Sequence, residues 1–411
     1  MTRVPVPLVL LAFVNLLTAG PAPAQQAPIE GSGDDAAMSS YGCLVCHADK
    51  RRVFVQGVHS DWGIRCHDCH GGDPTSLEIE PAHRGEFVGQ PTKLEVVEIC
   101  SNCHADPDQM RQYGLPADQL AELRTSRHGQ LLEAGNQDAP TCSDCHDPHR
   151  TLPSSDARSA VFPTNIPATC DRCHSDPEMM GPYGLDTDQF KEFEASSHGR
   201  ALYRDGNFAA PSCIGCHGSH AALPPDVGEI ANVCGRCHQE VRHALSAGPH
   251  GPRDQPGSAA LGCTACHTNH GTERIESAGI SETCTACHDS EERAARIGQE
   301  IEEGVIRAEA QMESAREAIA ELGRAGHRTS DARFRYRSAL TEFNQIAQVQ
   351  HSLDLETLTD LELDVSSITR GIESAAEVAA EHKWEHRLIL LPLWFFALSM
   401  AALAYFRFRK P

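Results

Sequence analysis

Aromatic residues make up only 5% of this 411-residue chain. That is thin for the two or three domains the length suggests, so something other than side chains should fill much of the interior. Basic residues are also scarce: 35 Lys and Arg stand against 57 Asp and Glu, giving a formal charge of −22 and a pI near 5.4. Binding a phosphate backbone needs a basic surface, so nucleic acid is excluded as a partner. The acidic balance fits a solvated surface, or docking onto a basic partner. No cysteine is left over. All 18 fall into nine Cys-x-x-Cys pairs, and every pair is followed directly by His. No phrase has Lys in place of that His, and no cysteine follows the last phrase.

The phrases are Cys43–Cys46–His47, Cys66–Cys69–His70, Cys100–Cys103–His104, Cys142–Cys145–His146, Cys170–Cys173–His174, Cys213–Cys216–His217, Cys234–Cys237–His238, Cys263–Cys266–His267 and Cys284–Cys287–His288. Three chemistries compete for them. Disulfides need no His after each pair. Zinc sites need a second Cys or His pair at set spacing, not a fixed following His. Covalent c-type haem uses all three residues: two thiols form thioethers with the vinyl groups, and the adjacent His ligates the iron. Nine occurrences without exception favour haem c, nine groups covalently attached.

Two copies of a longer repeat stand out. One runs from Cys100 to Pro153 and the other from Cys170 to Pro224. Each holds two phrases, a Ser-x-His-Gly (Ser126 to Gly129, Ser196 to Gly199) and a His three places after the second phrase (His149, His220). The Asp106-Pro107 and Asp176-Pro177 turns match as well, and read as structural.

A haem iron needs a second axial ligand beyond its phrase His. Of 23 histidines, fourteen lie outside the phrases' final position. His128, His198 and His250 occupy the Ser-x-His-Gly slot or its analogue, with His59 a weaker copy. His149, His220 and His270 follow phrases by three places, and His83 fills the corresponding slot after Cys66. For the Cys284 haem the candidate is His351, with His327 and His243 as runners-up. On this count the repeat should be a self-sufficient two-haem cassette used four times. His67 falls inside a phrase and should not ligate, and Met110, Met179 and Met180 should pack.

In chain order, residues 1–24 read as a signal peptide: Arg3, an apolar run, then Ala22-Pro23-Ala24. Residues 25–42 read as a flexible leader. Residues 43–288 form the nonahaem domain, with so little chain per phrase that haems should be its core. The expected fold class is mainly α with extensive irregular loops and almost no β. Residues 289–386 form a helical hairpin or three-helix stalk. Ile297, Ile301, Val305, Ala308, Met312, Ala315, Ile319 and Leu322 define one apolar face. A second helix should span Asp331 to Leu353, and a third should bury Leu361, Val365, Ile368, Ile372, Ala375 and Ala379. Residues 387–411 read as a C-terminal anchor. Its apolar stretch, 388–406, carries no charge and meets membrane lipid, and Arg407, Arg409 and Lys410 form a basic cytoplasmic tail.

The paired phrases, with Ser-x-His-Gly and Cys-x-x-Cys-His-x-x-His, resemble the multihaem cytochromes c with doubled attachment motifs. Over residues 43–288 the chain is similar in expected haem packing to the cytochrome c-554, pentahaem nitrite reductase and octahaem hydroxylamine oxidoreductase group. The resemblance implies edge-to-edge haems through which electrons hop. The catalytic members' Cys-x-x-Cys-Lys is lacking, and the anchor differs from the N-terminal one of membrane tetrahaem quinol dehydrogenases. The expectation is an electron carrier on the periplasmic face of a bacterial inner membrane. It would pass electrons from a quinol-oxidising or cytochrome b subunit to periplasmic redox proteins. Its rivals are a reductase of nitrite, hydroxylamine or a sulfur oxyanion with the Cys284 haem open, and a structural subunit of a respiratory complex.

Overall fold

The structure, a computed structural model, describes residues 41–224, 230–252 and 261–408, the side chains of 381–390 and 408 excepted. The expected signal peptide, nearly all of the leader, and the basic tail beyond Arg407 lie outside the described residues. Among those described there is no strand, only short helices, loops and three long helices. The fold is mainly α. The chain divides into two units: residues 1–91 with 148–151, and residues 92–147 with 152–411.

The first unit is built of helices of four to seven residues, such as Gly42–Cys46, Ala48–Phe54, Val58–Asp61 and Cys66–His70. Its side-chain core is small: Leu44 and Phe54 are buried, with Tyr41 and Cys66 packed against them. Tyr41 Oη accepts from the His67 N–H at 3.2 Å and lies 2.6 Å from His67 Nδ1. This histidine therefore serves the polypeptide, as its place inside a phrase suggests.

In the second unit the repeat appears as geometry. Helix α1 (Lys93–His104) opens with a capping box in which Thr92 and Glu95 satisfy each other's amides, and closes on a phrase. Asp106 then caps a one-turn helix with Pro107 first, accepting from Asp108 N–H at 2.8 Å. Asp176 does the same for Glu178 N–H at 2.9 Å, so both Asp-Pro pairs are caps. Met110 and Met180 are buried in the unit.

Ser-x-His-Gly is a tight corner between two helices. Helix α2 (Gln119–Thr125) stops at Ser126, which starts α3 (Arg127–Glu133). The buried Ser126 hydroxyl accepts from Gly129 N–H at 2.9 Å and donates to Leu123 C=O at 2.6 Å. A Cβ on Gly129 would run into that same Leu123 carbonyl. The Ser therefore caps, the Gly admits the preceding helix, and the His between them is held on the first turn. After α4 (Ile166–His174), the second repeat copies this with α5 (Gln189–Ala195), Ser196, and α6 (Ser197–Tyr203). Further on, helix α7 (Gln239–Ala247) leads into Gly248, which lies so close to Ser352 and His351 that a Cβ would meet both carbonyls.

After α8 (Ile280–Thr285), the expected helices are α9 (Arg293–Arg324), α10 (Ser330–Val349) and α11 (Leu355–Phe408). Ile301, Ala308, Met312, Ala339, Ile346, Leu358, Leu361 and Val365 form one buried cluster. Ala315, Leu322, Ala332 and Ile372 form a second, in which Ala376 packs where the sequence pattern suggested Ala375. Helix α10 ends at Val349 rather than continuing to Leu353. A 3₁₀ turn, Gln350–Ser352, follows it, and Leu353 adopts a left-handed φ of 59°. These helices are tied to the last phrase: Glu302 accepts from the Ser281 amide at 2.9 Å and hydroxyl at 2.6 Å, and Ser277 donates to Glu309 at 2.6 Å. Helix α11 runs on to Phe408 through Pro392. Its far end is covered in exposed apolar side chains, among them Leu393, Trp394, Phe395, Phe396, Leu403 and Phe406. Among the described residues no helix is long and apolar enough to cross a membrane. The stretch 388–406 lies partly outside the described side chains.

Candidate haem centres

A Cys-x-x-Cys-His phrase is one helical turn. The His amide donates to the first Cys carbonyl at 2.8 Å in His47, 2.9 Å in His146 and His238, and 3.0 Å in His267 and His288. That bond is the i to i−4 bond of an α-helix, so the first thiol and the imidazole share one face. A ring bonded to the cysteines would lie against the histidine.

Across from the phrase imidazoles stand others. In the first unit His47 faces His83 at 6.3 Å between ring centres, and His70 faces His149 at 6.2 Å. In the second unit His146 faces His220 at 6.3 Å, His174 faces His128 at 6.1 Å, and His217 faces His270 at 6.0 Å. His238 faces His198 at 6.2 Å, His267 faces His351 at 6.2 Å, and His288 faces His250 at 6.3 Å. Each pair joins one phrase His to one histidine from elsewhere. Two imidazoles on opposite sides of one metal, each with a bond of about 2.0 Å, have ring centres about 6.2 Å apart. All eight spacings fall at that value. Of the remaining candidates, His104 closes α1 and His59 sits in the helix Val58–Asp61.

The other ring nitrogen is occupied too. Nδ1 meets a backbone carbonyl in His70 (Val88, 2.9 Å), His83 (Ile79, 2.7 Å), His217 (Leu223, 3.1 Å), His267 (Glu273, 3.0 Å) and His351 (Gln348, 3.2 Å). A carbonyl accepts, so Nδ1 carries the proton and Nε2 keeps its lone pair for a metal. Burial, and in second place a neighbouring imidazole, lowers the pKa of His128, His146, His198 and His270. That favours the neutral, ligating form.

The pairing corrects two expectations. His351 faces the Cys263 phrase, not the Cys284 phrase, because it sits on the 3₁₀ turn after α10 rather than on the continued helix face. The Cys284 phrase is faced by His250. Nor is the repeat self-sufficient. His146 of the first copy is faced by His220 of the second, and His174 of the second by His128 of the first. Histidines of the Ser-x-His-Gly kind serve a later phrase, and those three places after a phrase serve an earlier one. His243 and His327 form no such pair among the described residues. Sequence reasoning found the histidines but not the exchange, since spacing along a chain carries no record of which repeat folds against which.

The thiols lie in chain order. Cys142 is hydrogen-bonded to Cys100, Cys213 to Cys170, and Cys263 to Cys234. These contacts draw Cys142 down to about 7 and Cys263 down to about 6. Burial, followed by the nearby Cys170, pushes Cys145 up to about 11. Cys216 likewise lies within charge range of Cys237, and Cys266 of Cys287. Seven successive phrases, from Cys100 to Cys287, therefore adjoin one another in sequence order. A pocket of ≈ 340 Å³ opens between Cys266 and Cys287, lined also by Leu261, Ala265, Thr283 and Ala286. No group of three or more His, Cys, Asp or Glu side chains forms a metal cage among the described residues. Paired nitrogens next to paired thiols suit haem c, whose macrocycle supplies the other four ligands, and do not suit tetrahedral zinc.

Comparison with known proteins agrees. A family model described as cytochrome c3 matches residues 58–175, which hold four of the phrases. The multiheme cytochrome MtrA of Shewanella baltica (strain OS185) is 29% identical over 141 residues, 34% of this chain and 32% of that protein. The comparisons support a multihaem c-type cytochrome. The chain spans about a third of the length of that curated relative. No solved structure matches.

Proposed function

We propose that this multihaem cytochrome is a nonahaem electron carrier. The observation that carries the reading is the set of eight imidazole pairs at 6.0 to 6.3 Å, each combining a phrase His with a second His. His59 and His104 complete the eighteen proposed ligands. Bound haem supplies one-electron exchange at iron. The polypeptide does the rest: cysteine pairs fix the spacing, and at the eight paired sites the two histidines would hold the iron between them and leave no coordination site for a substrate. The contiguous thiols from Cys100 to Cys287 give a conducting order that follows the sequence. The rival reading as a reductase relied on an open site at Cys284, and His250 stands there.

For the cellular setting, the apolar start of the chain supports export. The exposed Leu391 to Phe406 face supports attachment to an inner membrane, with the haem domain in the periplasm. Donors would be a quinol-oxidising or cytochrome b subunit in that membrane, and acceptors periplasmic redox proteins. The test is a haem count by pyridine haemochrome and intact mass, with EPR of the oxidised protein. Nine haems, all low-spin, are expected. A high-spin ferric signal that shifts with nitrite or hydroxylamine would sink the carrier reading.

A further inference from the structure

Three axial histidines differ from the rest in what their Nδ1 meets. His220 Nδ1 lies 3.4 Å from Glu122 Oε2, His270 Nδ1 lies 3.7 Å from Glu192 Oε2, and His288 Nδ1 lies 3.0 Å from Glu292 Oε2. At His70, His83, His217, His267 and His351 the acceptor is a neutral carbonyl, and at His198 the Nδ1 neighbour is the Thr272 hydroxyl, 3.4 Å away. The two repeats show that this is built in. Helices α2 (Gln-Leu-Ala-Glu-Leu-Arg-Thr) and α5 (Gln-Phe-Lys-Glu-Phe-Glu-Ala) agree at only two of their seven positions, the Gln and the Glu. The Gln has a local task in both: its amide bonds the Pro116 or Asp186 carbonyl before the helix. The Glu has none of that kind. In both copies it reaches a histidine three places after the second phrase of the next repeat, and that histidine faces the second phrase of the repeat that holds the Glu. Glu292 is diverted in a similar way. It holds the N-cap position of α9 but makes no cap bond, and its carboxylate goes to His288.

We infer that Glu122 and Glu192 are positioning and tuning residues. Each holds the distal imidazole supplied by the following repeat and lowers the reduction potential of the haem it serves, on Cys142–Cys145 and on Cys213–Cys216 respectively. Glu292 does so for the haem on Cys284–Cys287. The physical reason is twofold. A carboxylate at Nδ1 draws the proton and makes the imidazole a stronger donor to iron. Its negative charge also stabilises the more positive, oxidised metal. The wire would then carry built-in low-potential stations at the Cys142, Cys213 and Cys284 phrases, with sites that lack a carboxylate contact between them.

The inference rests on the haem reading proposed above, and its test separates the two. Full-length E122Q, E192Q and E292Q are purified beside E194Q, a control one turn-face away on α5. Haem count and low-spin EPR report whether the haem reading holds. A spectroelectrochemical titration followed by EPR reports the inference. Each of the three variants should keep its haems and raise one reduction step about tenfold in equilibrium constant, or about 59 mV for one electron, with E194Q unmoved. The double variant E122Q/E192Q should move two steps. Unchanged potentials in all three variants, or an equal shift in E194Q, would reduce these contacts to surface ion pairs and overturn the inference. If one variant fails to mature, the other two decide.

Discussion

His351 shows how much a single side chain can depend on its local backbone. It follows α10 on a one-turn 3₁₀ segment whose end is set by Leu353 at φ 59°. Its Nδ1 is held by the Gln348 carbonyl at 3.2 Å, and Gly248 leaves the space in which that turn can approach α7. The ring therefore points at His267, not His288. A consequence follows for H351A. The variant should show one high-spin haem in EPR. Removing the last attachment site with C284A/C287A should leave that signal in place, whereas C263A/C266A should abolish it. The opposite dependence would restore His351 to the Cys284 haem.

At the scale of elements, the three long helices are more than a support. They bury two clusters of Ile, Leu, Val, Met and Ala, and carry His351, which faces His267, on the turn between α10 and α11. Ile372 is 1% exposed and lies at the heart of the second cluster. Truncation to Ala should cost about 2–5 kcal/mol, because the cavity adds to the lost transfer free energy. Helical melting at 222 nm should register that loss. The Arg307–Glu362 contact, 2.6 Å long, has its Arg side chain 53% exposed, so removing it should matter far less than removing Ile372. Opening of the bundle should release His351, so the Soret change of one haem is expected to track the helical melt. A Soret transition independent of the 222 nm signal would show that the two are separate.

The whole molecule combines a charge of −22 with one apolar end. The first argues for partners with basic surfaces, since summed charge steers association and salt screens it beyond about 8 Å at physiological ionic strength. The second exposes Leu391, Leu393, Trp394, Phe395, Phe396, Leu403 and Phe406 together on one helix, which motivates a test of attachment. Deleting 391–411 should move the protein from the membrane pellet to the soluble fraction while leaving its haem count unchanged. Recovery of the truncated protein in the pellet would count against anchoring through α11.

The phrases, the spare histidines, the structural Asp-Pro turns and the faces of α9 to α11 were legible from sequence alone. Each depends on residues within about one helical turn of one another, where spacing dictates geometry. Nine attachment phrases and a shortage of aromatics already implied that cofactor rather than side chain fills the interior. Tertiary structure decided which imidazole faces which: the interlacing of the repeats, the move of His351 to the Cys263 phrase, and the arrival of His250 at the Cys284 phrase. It also brought Glu122 and Glu192 to histidines in the next repeat. Such pairings join residues many dozens of positions apart, and equal spacing within each repeat is compatible with either an internal or an exchanged ligand. Only the packing of one corner helix against the neighbouring repeat distinguishes the two.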